Sequence, residues 1–293
     1  MSEIVQKDLF GEDVVDKQPI SREKITDILR GVFHGMTLED LTALFTDKFR
    51  ETLNYYDLCH GAKTCQRMSL LFNPHRLDVR SITSKMSVYE AFQDERWFNG
   101  LARVVILNKG TVSDVLYQSI AMNINGVQYI NEFPPHVARG VYSKYVTKNA
   151  RILDPCAGWG GRMIGASTVA DSYTAFEPST KTHEGLLKLS EYLRTMQPDF
   201  ETNVKNIPFE EAQLTSNYYD VALTSPPYYD TEHYSTEATN SMNKFATFDA
   251  WCEGFYLPMI EKTMDALKPD SYFILNIGSR KYPLNQVLID NFK

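Results

Sequence analysis

The sequence predicts an α/β fold: an open, mostly parallel sheet with helices on both faces, preceded by a mainly helical or mixed N-terminal region. Three observations carry this prediction. A short apolar strand, Arg151 to Leu153, runs through Asp154-Pro155 into a glycine-rich turn and a helix of small and apolar residues, Arg162 to Ala170. A second strand, Ser172 to Phe176, ends in an acid, Glu177, 19 residues beyond Gly158. Helical and strand-like patterns then alternate as far as residue 276, as a parallel sheet with crossover helices requires.

Each element has a local reason. Pro155 cannot donate to a ladder and so stops the first strand. In Ala157-Gly158-Trp159-Gly160-Gly161 the chain can turn sharply, come close to a ligand where a Cβ would obstruct, and offer N–H groups at a helix start. Strand, glycine turn and helix open a dinucleotide-type βαβ unit, and an acid near residue 20 of such a unit is placed to accept hydrogen bonds from ribose hydroxyls. An ordinary βα turn with a surface Glu shares part of this pattern. Beyond it the pattern gives a helix over 181–196, a third strand over 200–206, a loop over 206–211, a fourth strand over 219–223, an amphipathic helix over 248–267 ended by Lys268-Pro-Asp270, and a fifth strand over 271–276.

The fourth strand ends in Thr224-Ser-Pro-Pro-Tyr228. Strand C-termini of open parallel sheets face the ligand crevice, so this turn and the glycine turn are expected to meet there. Two prolines remove two N–H donors and leave a stiff row of acceptors, the Ser225 hydroxyl among them, with the Tyr228 ring available for stacking. An exocyclic amine on a nucleobase suits such a row. Residues 229–245 hold aromatics and hydroxyls without apolar periodicity and predict a mobile loop over the site. Upstream, Asn131-Glu-Phe-Pro-Pro135 is a stiff turn into a helix over 136–146, and Phe133 is a candidate to cap a bound adenine, with core packing as the alternative.

Composition narrows the function classes. The chain has 293 residues, 43% of them hydrophobic, and a net charge of −7. No apolar run approaches the ~20 residues of a membrane span. The N-terminus lacks the basic and apolar regions of a signal peptide. The four cysteines are scattered, with no C-x-x-C pair, and Cys59, His60 and Cys65 are too few for a metal site. A cytoplasmic, reduced protein without metal or membrane is expected. Charge is uneven: residues 63–109 carry 8 basic and 4 acidic side chains, which fits either a phosphate-contacting face or an ordinary solvated surface.

The N-terminal stretch is less definite. Residues 1–20 predict a loose arm. Ser21 is an N-cap for a helix with Ile25, Ile28, Leu29, Val32 and Phe33 on one face. Gly35-Met-Thr37 breaks it, and Thr37 begins another. This outline resembles a helix-turn-helix, although two amphipathic helices around one core are the commoner source of it. Ser69–Phe72 and Leu101–Leu107 are apolar runs, the second a strand or a buried helix. Val115 to Ala121 is helix or strand, and Asn125-Gly126 a hairpin turn.

Taken together, Asp154-Pro-Cys-Ala-Gly-Trp-Gly160 and Thr224-Ser-Pro-Pro-Tyr228 resemble the amino-methyltransferases of DNA over residues 131 to about 280. The resemblance implies a Rossmann-like methyltransferase sheet with S-adenosylmethionine as cofactor and a DNA base flipped from the duplex as substrate. It implies cofactor binding by Phe133, Asp154, Cys156, Ala157, Gly158, Trp159, Gly160 and Glu177, and catalysis by Ser225, Pro226, Pro227 and Tyr228. Ser at position 225 favours cytosine N4 over adenine N6, and restriction protection is an expected role. RNA methylation and a catalytically idle nucleic-acid-binding subunit are the rivals. The chain departs from the family at Cys156, where Phe is usual, and in the 17 residues after Asn276, too few for the family's last helix and antiparallel hairpin. Residues 131–293 are expected to be the catalytic domain. Residues 1–130 would be a target-recognition or accessory unit, that task otherwise falling to a partner subunit or a homodimer.

Overall fold

The computed structural model describes residues 21–43, 68–81, 84–108, 127, 130, 132–146, 149–230, 232–233, 235–278 and 281–292. The expectations for residues 1–20, for Val115 to Ala121, for Asn125-Gly126 and for Cys59, His60 and Cys65 lie outside these. The chain divides into two units, one of residues 1–48 and 74–130, the other of residues 49–73 and 131–293.

In the first unit a helix spans Arg22–Phe33, with the Ser21 hydroxyl accepting from the Lys24 N–H at 3.3 Å. Gly35 turns the chain at φ +85°, and the Thr37 hydroxyl then caps residues 38–43 by accepting from the Asp40 N–H at 3.1 Å. The buried faces, Leu29, Phe33 and Leu41, serve a core with Phe92, Trp97 and Phe98, as two amphipathic helices around one core require. The run 101–107 is helical, inside Glu95–Asn108. Three of the eight basic residues of 63–109 are engaged locally. Arg76 is buried and donates to Ile130 O at 3.0 Å, Arg80 pairs with Glu90 at 2.9 Å, and Arg96 with Asp94 at 2.7 Å.

The second unit is a Rossmann-like α/β fold. Five parallel strands, β1 (Arg151–Asp154), β2 (Ser172–Phe176), β3 (Glu201–Lys205), β4 (Tyr219–Thr224) and β5 (Leu267–Leu275), pair in the order β3-β2-β1-β4-β5. The order reverses beside β1, which makes the ends of β1 and β4 the topological switch point. Its helices are α1 (Met68–Phe72), α2 (Pro135–Tyr145), α3 (Gly161–Ala166), α4 (Thr180–Met196), α5 (Ser241–Lys244), α6 (Phe248–Trp251), α7 (Leu257–Ala266) and α8 (Leu284–Asn291). Two cores flank the sheet. Tyr142, Ile164, Leu186 and Leu189 pack with Ile152 and Val221; Trp251, Tyr256, Met259 and Ile260 pack with Leu153 and Ala222. Alternate residues of β1 and β4 thus supply both faces, as a central parallel strand must.

Three element boundaries differ from expectation. The helix after the glycine turn stops at Ala166 rather than Ala170; β-branched Thr168 and Val169 follow in a turn. The helix over 248–266 is interrupted by a π-turn at Cys252–Tyr256. The last strand begins at Leu267, not Ser271: Leu267 pairs with Tyr219, and pairing resumes at Tyr272 with Val221. Lys268-Pro-Asp270 therefore lies in a bulge, with Asp270 at φ +60°. Pro269 has no N–H to give a ladder, and the bulge places it where none is needed.

Packing at Gly165 gives a direct test. A Cβ there would lie 2.7 Å from Ala138 Cβ and from Pro135 O on α2. Gly165→Ala is expected to lower the unfolding free energy by about 1–3 kcal/mol through overpacking. Gly140→Ala, on α2 with nothing near its added Cβ, is expected to raise it by about 0.5–1 kcal/mol through helix propensity. Urea denaturation of the two variants measures both.

Candidate active site

β1 carries Ile152, Leu153 and Asp154 into the interior. Beyond Pro155 the chain turns back on itself. The Ala157 N–H donates to Phe176 O at 2.9 Å. Gly158, at φ +54°, gives its N–H to Glu177 Oε2 at 3.2 Å. Gly160, at φ +90°, starts α3. The left-handed conformation is cheap only without a Cβ, which explains both glycines. They nevertheless face different ways. A Cβ on Gly158 would meet nothing within 4 Å, whereas one on Gly160 would lie 2.6 Å from Leu189 Cδ2 and 2.8 Å from Leu186 Cδ2. Gly160 thus packs against α4 behind the turn and does not line the cavity.

Asp154 also differs from expectation. Its side chain is wholly buried and does not line the cavity. Oδ2 takes the Arg162 Nε–H at 2.7 Å and the Tyr173 hydroxyl; Oδ1 takes the Thr224 hydroxyl at 2.9 Å and the Cys156 N–H at 3.2 Å. Arg162 donates in addition to Cys156 O. Thr224 is the last residue of β4, so this one carboxylate joins the end of β1 to the end of β4. Asp154 is a hub beneath the two turns.

The consequence is that both turns open into one cavity of about 400 Å3, within the usual range of about 300–1,000 Å3 for small-ligand sites. Phe133, Cys156, Ala157, Gly158, Trp159 and Glu177 line one part of it, and Ser225, Pro226, Pro227 and Tyr228 another. Of the sequence-predicted residues only Asp154 and Gly160 are left out. The Cys156 thiol packs 3.9 Å from Met259 Sδ, and burial pushes its pKa well up, so it is a neutral wall rather than a nucleophile. The Arg162 guanidinium lies 5.5 Å from the Phe133 ring centroid, a cation–π contact that fixes the ring at the cavity edge.

Glu177 is the acid on the glycine-turn side of the cavity. It accepts from the Gly158 and Ser179 N–H groups, the latter at 2.9 Å. Burial raises its pKa to about 7, against the lowering effect of those two donors. On the other side, the Asn276 side chain donates to Ser225 Oγ at 3.1 Å, and the Asn276 N–H to Thr224 O at 2.9 Å. Ser225 is thereby held at a fixed place with an oxygen toward the cavity.

Several cavity residues escaped the sequence reading. Arg162 and Asn276 are polar residues at the start of a helix and the end of a strand, a position with some signal. Glu210, in the 206–211 loop, accepts at Oε1 from Lys244 Nζ at 2.9 Å, while its buried Oε2 has no hydrogen-bond partner among the described residues, and the residue lines the cavity. Within the expected mobile loop at 229–245, residues 235–245 are folded against the strand ends. Glu237 accepts from the Thr180 N–H at 3.0 Å, Thr239 donates to Pro178 O at 3.2 Å, and Ser241 accepts from the buried Trp251 indole at 3.1 Å. Thr239, Asn240 and Ser241 consequently form a cavity wall. Among the described residues no group of three His, Cys, Asp or Glu could hold a metal, and no helix is long and apolar enough to cross a membrane.

No protein-family model and no curated protein matches the chain. Solved structures overlap parts of it. An rRNA methylase from Streptococcus thermophilus is 12% identical over 56% of this chain and 82% of that one, with a TM-score of 0.37. A TehB-like SAM-dependent methyltransferase from Corynebacterium glutamicum is 12% identical over 59% and 77%, with a TM-score of 0.36. The YcgJ protein from Bacillus subtilis is 13% identical over 48% and 50%, with a TM-score of 0.34, so the chain spans about half its length. At these scores the overlaps carry no argument about activity, and the fold class rests on the strand order and parallel pairing described above.

The hub makes a stability prediction. Asp154→Ala leaves Arg162 buried without its partner and is expected to cost about 3–5 kcal/mol in urea denaturation. Replacing Arg162 by Met in the same chain is expected to recover part of that loss, because the uncompensated charge goes with it.

Proposed function

We propose that this protein transfers a methyl group from S-adenosylmethionine to an exocyclic amino group of a DNA base, cytosine N4 ahead of adenine N6. The observation that carries the reading is the convergence of Gly158 and Ser225-Pro-Pro-Tyr228 on one cavity. The residues fit the cofactor. A Cβ at Gly158 would stand in open space, so its absence leaves room for a ligand against the backbone. Glu177 offers carboxylate oxygens to ribose hydroxyls, and the buried free oxygen of Glu210 offers an acceptor to the adenine amino group. Phe133 and Pro208 add apolar lining to the cavity.

When bound, the cofactor supplies an electrophilic methyl group on a sulfonium. The chain's own part is to place the amine. Ser225 Oγ, fixed by Asn276, accepts one amine hydrogen, and a main-chain carbonyl of the Ser-Pro-Pro turn accepts the other. With both hydrogens held, the nitrogen lone pair faces the methyl. Pro226 and Pro227 bring no N–H that would compete for that lone pair. Tyr228 offers a ring to stack on the flipped base, its hydroxyl donating to Asn276 O at 3.4 Å. The amine's surplus proton leaves toward Ser225 and solvent as the C–N bond forms. No strong base is needed: positioning and charge stabilisation carry the rate. Thr239, Asn240 and Ser241 help keep water out.

The deciding experiment incubates the protein with labelled S-adenosylmethionine and either unmodified DNA or RNA, digests the product and identifies the methylated nucleoside by mass. N4-methylcytosine in DNA is the expected product. N6-methyladenine corrects the base, label in RNA alone corrects the polymer, and cofactor binding without transfer makes the chain an idle subunit. Ser225→Ala is expected to lower kcat by about 10²-fold, the usual scale for one lost transition-state hydrogen bond, with little change in cofactor affinity.

Glu177 gives a pH test. Ribose hydroxyls bind best to the ionised carboxylate, so cofactor affinity is expected to rise about tenfold from pH 6 to pH 8, across the Glu177 pKa of about 7, and to be flat in Glu177→Gln. Stability of the ligand-free protein runs the other way. The raised pKa favours the folded state fully below the ordinary carboxyl value, and that contribution is lost as pH rises through about 7. Calorimetric titration and thermal melts at matched pH read the two trends.

A further inference from the structure

We propose that Asn73 is a positioning residue that fixes the glycine turn from behind, and through it the seat of the cofactor; the second half rests on the cofactor reading above. Asn73 follows α1, far upstream of the turn in sequence, and is wholly buried. Its Nδ2 donates to Ser69 O at 3.1 Å and to Trp159 O at 3.3 Å. Trp159 stands between the two left-handed glycines. The α3 ladder begins one residue later, where the Ile164 N–H closes on Gly160 O at 3.0 Å. The Trp159 carbonyl therefore lies outside the helix ladder, and Asn73 brings it a donor, as a buried carbonyl requires.

The amide can point only one way. Two carbonyls face Nδ2, and a flipped amide would set its oxygen against both. The Asn73 Oδ1 in turn lies so close to α4 that a Cβ on Gly185 would be 2.2 Å from it, and 2.5 Å from Phe72 O. Gly185 is thus the gap in α4 that lets Asn73 reach the turn. The other end of α1 is tied as well: the Ser69 hydroxyl donates to the Glu132 carboxylate, next to Phe133. Glu132 and Trp159 both line the cavity. A helix of five residues thereby sets two of the cavity's walls, and Asn73 is its contact with the turn. Asn73 touches no ligand position itself. Its effect passes through the orientation of the Gly158 and Gly160 peptide groups.

The test uses the full chain and three variants. Asn73→Asp keeps the shape but sets an acceptor against two carbonyls, and Asn73→Ala removes the donor without adding charge, so one remains readable if the other does not fold. Ser190→Ala deletes a part-buried hydrogen bond to Thr202 in the same unit, between residues that do not line the cavity, and serves as the stability control. Amide hydrogen exchange at Gly158 and Gly160 in the ligand-free protein is expected to quicken about tenfold in the Asn73 variants and not in Ser190→Ala. The S-adenosylmethionine dissociation constant is expected to rise about tenfold in the same variants. Unchanged exchange at the turn overturns the proposal, as does an affinity loss no larger than that of Ser190→Ala. Should the unaltered protein bind no S-adenosylmethionine, the cofactor reading falls, and the exchange rates still decide whether Asn73 holds the turn.

Discussion

The second unit depends on one buried carboxylate. Asp154 accepts from Arg162, Tyr173, Thr224 and the Cys156 N–H, so a single side chain ties the ends of β1 and β4, the first turn of α3, and β2. A buried charge of this kind contributes less to net stability than its hydrogen bonds suggest, because desolvation of both ions offsets most of the attraction. What it supplies is geometry. Two turns that each leave the sheet as a separate loop are held at one depth and one spacing, and the cavity between them is the consequence.

Around that hub the two sides of the cavity are built on different principles. The glycine-turn side uses backbone: left-handed Gly158, N–H groups that grip Glu177, and a carbonyl that accepts from Asn73. The Ser-Pro-Pro-Tyr side uses missing donors: two prolines, a serine that accepts from Asn276, and a tyrosine ring. The first arrangement suits a ligand with hydroxyls to donate, the second a ligand with an amine to donate. Glu177 shows the tension this creates. Burial works against its charge, and the Gly158 and Ser179 N–H groups partly restore it.

Much of this was legible in the residues. The five strands, the glycine turn, the acid after β2, and the meeting of the two turns at the strand ends follow from period, turn chemistry and the topology rule for parallel sheets. What the residues left open has physical causes. Gly160 and Asp154 belong to the motif, but a motif does not distinguish a residue that lines a cavity from one packed behind it. The last strand begins earlier than its pattern suggests because Lys268-Pro-Asp270 has the chemistry of a turn, and a bulge uses the same chemistry inside a strand. The 229–245 segment lacks periodicity because its partners are scattered single contacts to Thr180, Pro178 and Trp251, which leave no repeating pattern.

By itself the sequence determined the class of fold and the kind of chemistry each turn offers, because strand period, the freedom of glycine and the missing N–H of proline are local properties of the chain. Tertiary structure alone decided which groups share the cavity. Asn73, Arg162, Glu210 and Asn276 acquire their roles only when residues distant in sequence are brought within hydrogen-bond reach, and no local pattern encodes that distance. It is set by how α1 fits the gap at Gly185, how β5 lies beside β4, and how one buried carboxylate binds the strand ends together.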